Sequence, residues 1–321
     1  VLQQSAKILR LDDGRSLEYA EYGDPLGRPV FFLHGYFGSY HQASLAHQGG
    51  IEQGIRIIAP NRPGIGKSTP CPFDAMTDYA GDVGQLADHL HLEKFGVIGA
   101  SGGGCFALAC AHELPDRACV AGVFGGIGPM NVVRNLQQMR WFRRMFLWGC
   151  HAHPVLAGYA LRVFFVLCKR FPYFSHKWLV GMSSSLETPV LKRGEVVNIL
   201  WNDYENVFLQ PNGIQGLLLE ANLYFNWGFD LRDIPYGTHV IFWHGKRDSI
   251  VSWAEFRKFA MLVPQAEVVL SSGTHMSFLT NDINHVLKKL SEAWEAPGLA
   301  SARDGHADDM LFDGFLVPRS S

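Results

Sequence analysis

Charge is scarce in this chain: acidic and basic residues make up 18% of its 321 positions and nearly cancel, leaving a formal charge of -2. No polyanion-binding surface is implied, so nucleic acid is not expected as a partner, and a hydrophobic content of 47% is too high for disorder. The six cysteines lack metal-ligand spacing, so neither a metal nor another cofactor is expected, and Cys105, Cys110 and Cys119 read as reduced packing residues. Reduced thiols suggest a cytoplasmic setting, while a start at Val1 leaves export open. An apolar run of the ~20 residues needed to span a bilayer is also lacking. Met145 to Leu161 comes nearest, but Pro154 and two histidines interrupt it and Arg162 ends it. His151-Ala152-His153 has no carboxylate or cysteine at a spacing that would complete a metal site. A phosphate-binding loop is missing too: Gly66-Lys67-Ser68 follows a strand, but Asn61 takes the place of the first glycine, and Pro70 and Pro72 prevent the helix that would supply amides.

What the chain does have is glycine, 34 in all, and its placement is informative. Phe95 to Leu114 reads as a buried strand, a glycine-crowded turn and a helix, with Ser101 at the turn in Gly99-Ala100-Ser101-Gly102-Gly103. That is the G-x-S-x-G nucleophile elbow in the strand-turn-helix setting it requires; the tight turn exposes Oγ and aims the Gly102 N–H at an arriving negative charge.

Around this centre, strands and helices alternate. The spacing predicts strands at Ala6 to Leu11, Ser16 to Tyr22, Pro29 to Leu33, Ile55 to Ala59, Phe95 to Gly99, Cys119 to Phe124, His239 to Trp243 and Ala266 to Leu270. Helices are predicted at His41 to Gln53, Thr77 to Leu90, Trp253 to Leu262 and Ile283 to Trp294. The fold class is α/β, with a mostly parallel sheet and a core built from residues 1–129 and 234–296. Between them, residues 130–233 lose the strand pattern and read as an inserted helical cap, with contact to a membrane surface as the lesser reading of its apolar stretch. Residues 297–321 are polar and aperiodic, and Leu316-Val317-Pro318-Arg319 looks like a protease-site remnant.

Two further loops stand out. Asp248 follows the His239 to Trp243 strand on a turn, and His275 lies on the loop after the last strand. Ser101, Asp248 and His275, in that order and each after a strand, resemble the α/β-hydrolase family. So do His34-Gly35, the run Arg62-Pro63-Gly64-x-Gly66-x-Ser68, and Gly273-Thr274-His275; the likeness covers about Ser16 to Leu290. The resemblance implies an about eight-stranded sheet with helices on both faces and a cap after the sixth strand. It also implies a triad of Ser101, His275 and Asp248, with the N–H groups of Gly102 and Tyr36 as oxyanion donors. Substrate contacts are assigned to His34, Phe37, Trp227 and Met276. Serine rather than aspartate at 101 argues against dehalogenase and epoxide hydrolase chemistry. The sequence His34-Gly35-Tyr36-Phe37 departs from the His-Gly-Gly-Pro-Gly loop of proline iminopeptidases. Cleavage of an ester or related acyl bond in a small apolar molecule is the expected activity, with lactonase, amidase or aminopeptidase, C–C hydrolase and perhydrolase chemistry as siblings. A non-catalytic ligand receptor is the competitor from another class. Trp141, Trp148, Trp178, Trp201 and Trp227 fall in the insertion, which predicts an apolar, aromatic roof over the substrate, with the insertion's own core as the alternative place for any one of them. Oligomeric state is left open.

Overall fold

In the computed structural model, residues 5–130, 141–171, 186–280 and 282–295 are described. Eight strands form one sheet in the order β1-β2-β4-β3-β5-β6-β7-β8. They are β1 (Lys7–Arg10), β2 (Ser16–Gly23), β3 (Arg28–Leu33), β4 (Ile55–Pro60), β5 (Phe95–Ala100), β6 (Ala118–Phe124), β7 (His239–Gly245) and β8 (Glu267–Ser271). β2 runs antiparallel to β1 and β4, and every other pair is parallel.

The central strands read as unbroken apolar runs because both of their faces are covered. Side chains alternate across the sheet, so each strand feeds two cores. Phe31, Leu33 and Ile58 point to one core, beneath the helices Asp78–His89, Gly103–Glu113 and Trp253–Ala260. Val30, Phe32, Ile57 and Ala59 point to the other, beneath the helices His47–Gln53 and Ile283–Glu295. The single helix expected over His41 to Gln53 is two pieces, a 3₁₀ segment Tyr40–Ala46 and then an α-helix, with Ser39 as the first piece's N-cap.

Between β6 and β7 the described residues form helices and no strand. They include Trp141–Ala152, Pro154–Arg170, Thr188–Leu191, Gly194–Tyr204, a π-helical turn Glu205–Leu209, and Gly213–Leu223. Pro154 opens its helix at a position where a missing N–H does no harm. Trp178 and the 297–321 segment lie outside the described residues, as does the side chain of Trp141.

Candidate active site

Ser101 directly follows β5 with φ of +51°, a left-handed conformation that residues other than glycine and asparagine rarely hold. Its flanking glycines are sterically required. A Cβ at 99 would lie 2.1 Å from the Gly103 carbonyl oxygen, and one at 103 would lie 2.2 Å from that of Leu33. The Ser101 N–H donates to Phe124 O at 2.7 Å, which ties the elbow to the end of β6.

The next residue brings the other two candidates in. Gly125 also has positive φ, and a Cβ there would meet Cε1 and Nδ1 of His275 at 3.0 Å and Asp248 Oδ2 at 3.5 Å. The end of β6 therefore holds Ser101 through Phe124 and lies against the His275 and Asp248 side chains at Gly125. His275 Nδ1 and Asp248 Oδ2 are 2.7 Å apart, and the Asp248 side chain is fully buried. The N–H groups of Ile250 and Val251 both donate to Oδ1 at 2.8 Å. Burial acts to raise the Asp248 carboxyl, yet the charge and hydrogen bond of His275 and the Val251 amide together hold it below its ordinary value. With the carboxylate on Nδ1, proton uptake falls to Nε2.

Gly102 and Tyr36 meet beside the serine: a Cβ at 102 would lie 3.1 Å from the Tyr36 Cβ. Among the described residues neither N–H has an acceptor in the chain. One unpaired donor at the start of a helix and a second on the loop packed beside it suit an oxygen that becomes negative.

Sequence reasoning missed the side chains that hold these loops, and three of them are carboxylates of the helical insertion. Glu187, which is buried, accepts from the backbone N–H of His275 at 2.9 Å and of Met276 at 3.1 Å. Asp203 accepts from the N–H and hydroxyl of Ser39 (2.9 and 2.6 Å) through Oδ1, and from Gln42 Nε2 (2.9 Å) through Oδ2. Gln42 Oε1 in turn accepts from the Gly35 N–H at 2.9 Å. Burial pushes the Asp203 carboxyl up to about 7 against the pull of these donors. Glu220 forms a two-pronged pair with Nε and Nη2 of Arg62 (3.0 and 2.8 Å), while Nη1 donates to His34 O and Nη2 also to Gly35 O. Tyr224 completes this group by donating to Glu220 Oε1 at 2.6 Å.

The residues assigned to substrate contact are distributed differently from expectation. His34 is buried behind its loop; its Nε2 accepts from the Arg62 N–H at 3.3 Å, which leaves Nδ1 to donate to Gly35 O at 2.9 Å. Burial and the Arg62 charge hold it well below an ordinary histidine, so it is neutral. Its partners make it a strut of the loop rather than a substrate contact. Trp227 belongs to the main core, with its ring edge-on to Phe259 and its N–H on Tyr224 O, and so does not form a roof. Trp148 is exposed. Met276 packs against the second core. Phe37 does reach the insertion, meeting Phe146 at 5.4 Å and Phe208 at 5.8 Å.

The segment resembling a phosphate loop has its amides occupied internally. Lys67 N–H donates to Glu18 Oε2 at 2.8 Å, and Gly66 N–H to Asn206 O at 3.2 Å. Among the described residues no three histidine, cysteine, aspartate or glutamate side chains converge on a metal-sized site.

Comparison with known proteins is consistent with this architecture. The chain is 32% identical over 105 residues to an uncharacterized hydrolase of Bacillus subtilis, covering 33% of this chain and 36% of that one. It is 34% identical over 116 residues to a proline iminopeptidase of Arabidopsis thaliana, covering 35% and 30% respectively. The aligned part thus spans about a third of the length of these curated relatives. Among solved structures it resembles an esterase from Rhodococcus sp. ECU1013, with a TM-score of 0.63 at 19% identity, covering 91% of this chain and 99% of that one. The enol-lactonase from Burkholderia xenovorans LB400 gives a TM-score of 0.60 at 17% identity, covering 89% and 99%. At such identities the likeness is one of fold. A family model for the alpha/beta hydrolase fold matches residues 28–282, most of the chain, and with the strand order and the elbow already described it shows that the protein belongs to that family.

Proposed function

We propose that this protein is a serine hydrolase that cleaves a carboxylic ester, or a related acyl bond, of a small and largely apolar substrate. The observation that carries this reading is the His275–Asp248 pair, 2.7 Å apart, packed against Gly125 at the same strand end that binds a left-handed Ser101. His275 Nε2 takes the Ser101 hydroxyl proton as Oγ attacks the substrate carbonyl carbon. The N–H groups of Gly102 and Tyr36 receive the oxyanion, and loss of one such donor is worth roughly 10²- to 10³-fold in rate. The tetrahedral intermediate expels an alcohol, which leaves with the proton from His275. Water then attacks the acyl-enzyme with His275 as base, releasing the acid and free Ser101. Asp248 keeps its charge throughout and holds the imidazole in the Nδ1–H form.

In this reading residues 1–129 and 234–296 carry the chemistry, and residues 130–233 cap the site. The names of the sequence relatives favour one alternative, an aminopeptidase acting on an N-terminal proline. That activity needs a carboxylate to receive the substrate's ammonium group. Glu187, Asp203 and Glu220 of the insertion are each engaged by backbone amides or by side-chain donors, which counts against it. Turnover of a p-nitrophenyl ester panel, set beside a prolyl anilide, tests the proposal. Esters should turn over, and Ser101→Ala or His275→Ala should lower kcat by roughly 10⁴- to 10⁶-fold with the fold intact. Turnover of the anilide alone would favour the peptidase, and turnover of neither would favour a receptor.

A further inference from the structure

The helix Pro154–Arg170 has no buried residue, although most of its side chains are apolar. Val155, Leu156, Tyr159, Val163, Val166 and Leu167 are between 52% and 72% exposed. Their spacing places them on one stripe roughly 120° wide, the outward face of the helix. The opposite face is already covered: Phe165 stacks on Phe208, and Gly158 approaches Leu218 and Ile214. The preceding helix adds exposed Met145 and Trp148. Contiguous exposed apolar surface of this kind marks a contact site.

Charge identifies the partner. Between Asp116 and Glu187 the sequence contains no acidic residue, whereas arginine and lysine recur throughout. On the helix itself Arg162 and Lys169 fall along one edge of the stripe and Arg170 at its end, with Lys169 only loosely paired to Glu205 at 3.6 Å. Two copies meeting through this face would bring like charges together. An anionic lipid surface would instead receive the apolar stripe among its acyl chains and the cations at its headgroups. An exposed tryptophan on the neighbouring helix suits the same boundary. Among the described residues no helix is long and apolar enough to cross a membrane, so this one would lie in the plane.

We propose that the face of Pro154–Arg170 docks on an anionic phospholipid surface. Docking is independent of the hydrolase reading, because binding is measured without turnover. The test is flotation of the full chain with vesicles of phosphatidylcholine, alone or doped with phosphatidylglycerol. The chain should float with doped vesicles and much less with neutral ones, and raised salt should weaken the difference. Arg162→Glu, Lys169→Glu and Arg170→Glu together should lower binding to doped vesicles by more than about tenfold. Leu156→Ser, Val163→Ser and Leu167→Ser together should do the same, with the single Val163→Ser showing a smaller loss in the same direction if the triple variant fails to fold. Hydrolysis of a soluble short ester should be unchanged in all of them, so loss of docking is read apart from loss of chemistry. The proposal is overturned if vesicles of both compositions bind equally or not at all. It is also overturned if the serine variants abolish a concentration-dependent dimer instead, or if binding emerges only after residues 297–321 are removed.

Discussion

At the scale of single residues, Asp203 fixes which way round an amide sits. Because its carboxylate accepts from Gln42 Nε2, the Gln42 oxygen is left facing the Gly35 N–H. Asp203→Asn would set an NH₂ group against Nε2, and turning Gln42 over would only move the clash to Gly35. One buried donor stays unpaired, at a cost of about 1–3 kcal/mol, in the loop that carries Tyr36. The expected outcome is a fall in kcat of roughly tenfold or more with KM little changed. Adding Gln42→Glu to Asp203→Asn restores an acceptor for both donors and should recover most of the loss, whereas additive losses in a four-protein cycle would contradict the mechanism. His244 offers a second test. Its ring is buried, stacks on Phe256 at 4.2 Å, and has no hydrogen-bond partner for either nitrogen among the described residues. Burial lowers it from its ordinary 6.5 to about 4, against the opposing pull of Asp248. The folded chain keeps the ring neutral while the unfolded chain binds the proton. Stability is therefore full above about 6.5 and is lost as pH falls toward about 4. His244→Phe should flatten that loss by roughly 2–3 kcal/mol, read from urea unfolding at about pH 5 and about pH 8.

At the scale of elements, the insertion braces the loops beneath it. Glu187 reaches the His275 loop, Asp203 the Ser39 turn, and Glu220 the Arg62 guanidinium that holds two loop carbonyls. Glu187→Gln presents one NH₂ to an amide N–H, so the His275 loop should loosen. Faster hydrogen exchange at His275 to Ser277 and a lower kcat at unchanged protein stability would both report it. Arg62→Leu should cost about 3–5 kcal/mol in unfolding free energy, because Glu220 is left as a buried and unpaired charge. None of this bracing was legible in the sequence, for a physical reason. The central strands were legible because burial on both faces makes them apolar runs, and the elbow because its neighbours must be glycine. Asp248 stood out because it follows a buried strand, and His275 because it lies on the loop after the last strand. A carboxylate that accepts from an amide 88 or 164 positions away leaves no periodic trace. Nor does composition separate the wall of a pocket from the interior of a core. Trp227, assigned to the first, belongs to the second, and His34 turned out to be coupled to Arg62 rather than to a ligand.

At the scale of the whole molecule, a sheet covered on both faces delivers its loops to one edge, where the helical insertion meets them. The aromatic contacts between Phe37, Phe146 and Phe208 set an apolar boundary there, so selection by burial is expected. Each buried methylene contributes about 0.8 kcal/mol, and lengthening an acyl chain by two carbons should raise kcat/KM by up to roughly tenfold until the space is full. A preference for acetyl or anionic esters across a series from acetate to decanoate would contradict that boundary. The claim on which all of this rests is that Ser101 is a nucleophile activated by His275 and Asp248. It is tested most directly by mass spectrometry of the chain after reaction with a fluorophosphonate. A single adduct on Ser101, absent in Ser101→Ala and formed far more slowly in His275→Ala and Asp248→Asn, is the predicted result. Unchanged labelling in Ser101→Ala, or an adduct at another residue that tracks ester turnover, would contradict it.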